Sequence, residues 1–105
     1  MSTPTTAPDR YADTPLDEWL RRQLWTKYDL PQVVIFEPSK TIYDAWTVVE
    51  RMSDFQWHLT LSYYSGGVSA KFWQIGRGKL GEASGTTKDA AWAISMAAKR
   101  ALTPK

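Results

Sequence analysis

Residues 55–73, Phe55-Gln56-Trp57-His58-Leu59-Thr60-Leu61-Ser62-Tyr63-Tyr64-Ser65-Gly66-Gly67-Val68-Ser69-Ala70-Lys71-Phe72-Trp73, decide the fold. Phe55, Trp57, Leu59, Leu61 and Tyr63 alternate with Gln56, His58, Thr60, Ser62 and Tyr64. A period of two is that of a strand with one packed face and one more polar face. Ser65-Gly66-Gly67 supplies the positive φ that a tight hairpin requires. The returning strand puts Val68, Ala70 and Phe72 on one face and Ser69, Lys71, Trp73 and Ile75 on the other. Gly76-Arg77-Gly78 reads as the next turn, and Lys79 to Gly85 as a short third strand weakened by Gly81 and Gly85.

Helical periodicity lies on both sides of these strands. The first helix is expected from Thr14 as its cap, with Pro15 at the first helical position and Asp17 three residues after the cap. Its apolar stripe is Leu16, Trp19, Leu20 and Leu24. A second helix follows Pro38, capped by Ser39 or Thr41, with Asp44 three residues after Thr41, and runs to about Asp54. Its stripe is Ile42, Ala45, Trp46, Val49 and Met52. Between them Val33-Val34-Ile35-Phe36 reads equally as an edge strand or a buried connector. Thr86 or Thr87 caps a last helix, with Ala90, Ala91, Ile94, Ala97, Ala98, Ala101 and Leu102 inward and Pro104 ending it. The order α-α-β-β-β-α describes an α+β domain, a three-stranded antiparallel sheet covered by helices. Residues 1–13, rich in Ser, Thr, Pro and Asp without periodicity, are expected as a flexible tail before a single domain over 14–105.

Composition narrows the class. A chain of 105 residues, 43% hydrophobic, supports one core and excludes a bilobal enzyme. No apolar run approaches the roughly 20 residues that span a bilayer, and the first residues carry no basic-then-apolar leader pattern, so a cytoplasmic location is expected. The absence of cysteine excludes disulfides, thiolate metal sites and a cysteine nucleophile, and with one histidine, His58, no metal or other cofactor is expected. Charge is uneven: residues 1–54 hold six basic and nine acidic side chains, residues 55–105 seven and two. The basic half therefore offers a surface to an anion.

Several stretches together resemble the phage ABA-sandwich domain proteins. They are Asp44-Ala45-Trp46-Thr47-Val48-Val49-Glu50-Arg51-Met52, the Trp-rich hairpin with Phe72-Trp73, Gly81-Glu82-Ala83-Ser84-Gly85, and Ala93-Ile94-Ser95-Met96-Ala97-Ala98-Lys99-Arg100-Ala101-Leu102. Leu16-Asp17-Glu18-Trp19-Leu20-Arg21-Arg22-Gln23-Leu24-Trp25 resembles the N-terminal helix of such proteins, so the likeness covers residues 14–103. Where that family opens its last helix with Thr-Ala-Pro and follows Ala-Ile with cysteine and arginine, this chain has Asp89-Ala90-Ala91 and Ser95-Met96. The resemblance implies a helix–sheet–helix sandwich and a phage or prophage setting, and it brings no shared activity with it.

Catalysis is poorly supported by the side chains. His58 shares a strand face with Thr60 and Ser62, but no motif supplies an orienting group or an oxyanion pocket. Gly76-Arg77-Gly78-Lys79 is a basic turn that lacks the phosphate-loop spacing. With Lys71, Trp73, Arg77, Lys79 and Lys88 together it forms a basic aromatic set that suits a nucleotide-like anion, whose phosphates meet cations and whose ring stacks on indole. Trp92, Met96 and Lys99 form a second stripe on the last helix, either an interface or packing beneath the first helix. These residues describe a small non-enzymatic accessory binding protein of a phage or prophage, working in the host cytoplasm by sequestering a nucleotide signal or occluding a host protein. The alternatives are an RNA- or DNA-binding module with a double-stranded-RNA-binding-like βββα face, and a structural protein forming a homo-oligomer.

Overall fold

The computed structural model describes residues 13–25, 36–76 and 80–103. Helix α1 spans Thr14–Leu24 and α2 Ile42–Asp54; strands β1 (His58–Tyr64), β2 (Gly67–Trp73) and β3 (Leu80–Gly85) follow, and a short 3-10 turn (Thr87–Asp89) leads into α3 (Ala90–Leu102). The sheet is antiparallel in the order β1-β2-β3. The α+β class and the α-α-β-β-β-α order are those the sequence implies. Residues 1–12 of the expected tail, Val33 to Ile35 of the ambiguous apolar run, the turn residues Arg77, Gly78 and Lys79, and Pro104 lie outside the described residues. Phe36 is buried and meets the Trp25 ring edge-on at 5.4 Å between centroids. No helix among the described residues is long and apolar enough to cross a membrane.

The hairpin reads off its register. Leu59 faces Phe72, Leu61 faces Ala70 and Tyr63 faces Val68, while Ala70 faces Ala83 and Phe72 faces Gly81 across the other ladder. Direct cross-strand partners share a face, so these residues form the inner face, on which Val68, Ala70, Phe72 and Ala83 are buried. Gly66, at φ +79°, takes the left-handed turn position that glycine occupies without a Cβ clash. The helices cover this inner face alone; on the outer face His58, Thr60, Ser62, Glu82 and Ser84 are exposed. Among the described residues the layering is thus sheet, then α3, then α1 and α2, with the outer face of the sheet open, which corrects the helix–sheet–helix sandwich that the resemblance implies.

Helix α3 packs on β2 and β3 and also on α1 and α2. A helix in that middle position needs small residues where it meets the layers on both sides. Ala91, Ala93, Ile94, Ser95, Ala97, Ala98 and Ala101 are accordingly all buried. Gly81 completes the fit on the sheet side, because a Cβ there would fall on the Ala97 carbonyl oxygen and the Ala101 backbone, within 2.7 Å of the Ala101 Cα. The glycine that weakens β3 as a strand is what lets helix and sheet backbones meet.

Three local expectations are corrected. Helix α1 is capped by Asp13, whose carboxylate accepts from the Leu16 N–H at 3.1 Å, one residue before the expected Thr14. That frees Asp17 from the capping role and turns it into the interior. On α2 the buried stripe is Ala45, Val48 and Met52; Ala45 and Met52 belong to the expected stripe, and Val48 takes the place expected of Val49. Ile42 and Trp46 stay 42% and 43% exposed because the short stripe already fills the contact with the alanines of α3. The alternation of β1 begins at His58 and not at Phe55. Helix α2 ends in a Schellman motif, with Trp57 N–H donating to the Met52 carbonyl at 3.1 Å and Gln56 N–H to the Ser53 carbonyl at 3.0 Å. Gln56 sits at φ 72°, and this turn leaves Phe55 exposed while delivering Trp57 to the core.

Candidate ligand cleft

The connector before α2 is shaped by its own polar groups. The Glu37 carbonyl accepts from the Lys40 and Thr41 N–H groups, both at 2.9 Å, and from the Thr41 hydroxyl at 2.9 Å. The Asp44 carboxylate accepts from the Glu37 N–H at 2.8 Å and lies 3.2 Å from the Thr41 hydroxyl, closing the first turn of α2. A second Thr-x-x-Asp arrangement opens the other side: the Thr86 hydroxyl donates to the Asp89 carboxylate at 2.9 Å, and Asp89 N–H to the Thr86 carbonyl at 2.8 Å. The helix starts so formed border one cleft of about 380 Å³. Lys40 and Thr41 line it from the α2 side, Lys88, Asp89 and Trp92 from the α3 side, and Tyr63 from β1.

Charge in the cleft is set by two ammonium groups against one carboxylate, and the partial positive charge of two helix N-termini adds to the cationic side. Tyr63, 60% exposed at the end of β1, and the half-buried Trp92 add aromatic surface to the lining of the same cleft. The floor is tied to α1 through Ser39. The Asp13 N–H donates to the Ser39 hydroxyl at 2.7 Å, and the Ser39 N–H and hydroxyl each donate to the Asp17 carboxylate at 2.9 Å. Asp17 is only 4% exposed, and burial pushes its carboxyl up to about 6 from an ordinary 3.8, against the lowering effect of the two Ser39 bonds.

The residues expected from the sequence to share an anion site divide between places. Lys71 and Trp73 lie on the open outer face of the sheet; Lys88 lines the cleft with Trp92; Arg77 and Lys79 fall outside the described residues. On the outer face Lys71 has Glu82 as its direct cross-strand neighbour. The Trp73 indole donates to the Thr60 hydroxyl at 2.9 Å, and one of its faces is covered by His58 at 4.6 Å between centroids. Trp92 and Met96 are partly buried against the core and Lys99 is exposed. Lys40 and Tyr63 join the cleft without any sequence motif, and Ser39 is marked in the sequence only as an alternative cap; the cap signal at Thr41 locates the first turn of α2, and nothing local brings it into one cleft with Lys88. Compared with protein-family models, curated proteins and solved structures, the chain matches none of them.

Proposed function

We propose that this chain is a small non-enzymatic binding protein, a phage or prophage accessory factor that sequesters a nucleotide-like anion in the host cytoplasm, and that the cleft between the starts of α2 and α3 is its site. The observation that carries this reading is the convergence of Lys40 and Lys88, from separate elements, around Tyr63 and Trp92. Lysines serve as point charges for phosphate oxygens, and phenol and indole rings offer stacking surface to a base. The volume suits a ligand of nucleotide size, since small-molecule sites begin near about 300 Å³. The phage setting rests on the resemblance of the helices and hairpin. A nucleic-acid reading on the sheet draws less support, because Lys71 is opposed by Glu82 and Trp73 is already half covered by His58.

Tryptophan fluorescence titrated with mononucleotides, cyclic dinucleotides and inorganic phosphate tests the reading, since Trp92 lies in the cleft. The double variant Lys40→Glu/Lys88→Glu should lower affinity at least about tenfold, equivalent to about 1.4 kcal/mol. Its melting temperature should stay near that of the parent, because both side chains are exposed. Unchanged affinity in that variant, or no response to any of these probes, sinks the proposal.

A further inference from the structure

Among the described residues β1 is an edge strand seven residues long, and all its ladder partners there belong to β2. An exposed edge presents a row of backbone donors and acceptors to any strand that can reach it, and proteins usually blunt such edges with charge, proline, glycine or a bulge. His58-Leu59-Thr60-Leu61-Ser62-Tyr63-Tyr64 has no Lys, Arg, Asp, Glu, Pro or Gly. Its neighbours add apolar surface, since Tyr63 is exposed on the strand itself and Ile42 of α2 lines the same cleft as Tyr63. Trp46 lies one turn along α2 from Ile42 and is also exposed.

The polarity of this edge is symmetric about its central residue. Leu59, Leu61 and Tyr63 lie on the inner face and His58, Thr60, Ser62 and Tyr64 on the outer face. Ladder bonds of an antiparallel pair alternate along the strand. With the Tyr64–Gly67 pair closing the turn as the first bonded pair, Tyr64, Ser62, Thr60 and His58 point their backbone groups at β2. Leu59, Leu61 and Tyr63 then turn theirs outward. The same alternation carried through β2 points the Glu82 carbonyl away from β2, which is where the Arg100 guanidinium meets it at 2.7 Å.

We propose that β1 pairs antiparallel with β1 of a second copy of this chain about a two-fold axis at Leu61, joining two three-stranded sheets into one of six strands. In this register Leu59 faces the second copy's Tyr63, Leu61 faces the second copy's Leu61, and Thr60 faces the second copy's Ser62. Inner residues meet inner residues and outer meet outer, all three outward-turned residues find backbone partners, and no like charges are opposed. Both sets of helices then lie on one side of the joined sheet, with the exposed Ile42 on the side of each copy's Tyr63. A strand that is uncharged and symmetric in polarity fits its own copy in a way that a strand with an asymmetric or charged pattern does not.

Sedimentation equilibrium and light scattering of the full chain from about 1 to 200 μM test the proposal. The wild type should approach twice the 12.0 kDa of the chain. Tyr63→Pro removes an outward N–H that β2 does not use, so the variant should fold, as circular dichroism will check, and its dimer dissociation constant should rise at least 100-fold. Ser62→Cys carrying a nitroxide keeps the test independent of that variant's folding, because the chain has no other cysteine. Strands about 4.8 Å apart place the two labels within about 20 Å, giving spin–spin broadening that dilution with unlabelled protein removes. A monomer across the whole concentration range, a dimer that Tyr63→Pro leaves intact while folded, or a dimer without broadening overturns the proposal.

Discussion

The two edges of the sheet are built from opposite materials. Strand β3, Leu80–Gly85, carries two glycines and a glutamate, and the Glu82 carbonyl is occupied by Arg100 from α3. Strand β1 carries none of these devices and has aromatic and aliphatic side chains exposed beside it. The difference follows from what each edge has to meet. Gly81 lets α3 approach so closely that the helix can send a side chain over the rim of β3 to take a backbone acceptor. Helix α2 packs mainly on α3 and touches β1 lightly, so nothing comparable reaches across the other rim among the described residues. A helix that covers a sheet face therefore closes an edge only where the strand is thin enough to let it come close.

The harshest way to break this contrast is Gly81→Ala. The added methyl falls on backbone atoms of Ala97 and Ala101, which cannot rotate away, so α3 must lift from β3. A loss of at least about 3 kcal/mol is expected, which a thermal melt reads as a fall of about 12 to 24 °C in Tm. A melting point within about 2 °C of the parent would show that the close approach does not hold the helix down.

Asp17→Asn acts on the α1 layer, on a carboxylate that takes part in neither sheet edge, and separates folding from edge chemistry. The folded carboxyl titrates near 6, above its ordinary 3.8. The stability it contributes is therefore greatest below about pH 4 and is lost as pH rises through about 6. Urea melts at pH 5 and pH 7.5 should show the parent losing about 1.4 kcal/mol relative to the asparagine variant, which has no charge to bury. The amide oxygen can still accept from the Ser39 N–H, so the variant should equal or exceed the parent at pH 7.5. Parallel pH profiles for the two proteins would mean that Asp17 is not the group that titrates.

The mildest change sharpens the contrast from the other side. Arg100→Ala uncovers the Glu82 carbonyl at an exposed rim, so stability should fall by only about 1 kcal/mol. Opening a second edge should instead be visible in assembly: light scattering should show species growing beyond a dimer with concentration. A variant that stops at the same mass as the parent would assign the closure of β3 to Gly81, Glu82 and Gly85 without help from the arginine.

Much of the fold was legible in the chain because its signals are local. The two-residue period of Leu59, Leu61 and Tyr63, the turn glycine Gly66 and the alanine stripe of α3 each depend on backbone geometry within a few residues. The misreadings have a common cause. Ile42 and Trp46 share a face with Ala45 and were expected inside, yet the helix rotates toward its smaller residues because the surface waiting for it is the alanine side of α3. Asp17 resembled a capping acid by spacing alone, and only the position of Ser39, 22 residues away in the chain, turns it into a buried group. The basic residues of the second half suggested one anion site, whereas the pleat sends Lys71 to the open face and Lys88 lines a cleft shared with Lys40 of the first half.

By itself the sequence determined the class and order of elements, the faces of the hairpin and the absence of thiol chemistry, since periodicity, turn stereochemistry and composition do not depend on what lies across the molecule. The tertiary structure alone decided which edge is closed, which acid is buried and which lysines share a cleft. Those properties are set by solvent exclusion and by approach distances between segments far apart in the chain, and no local pattern encodes the identity of a distant neighbour.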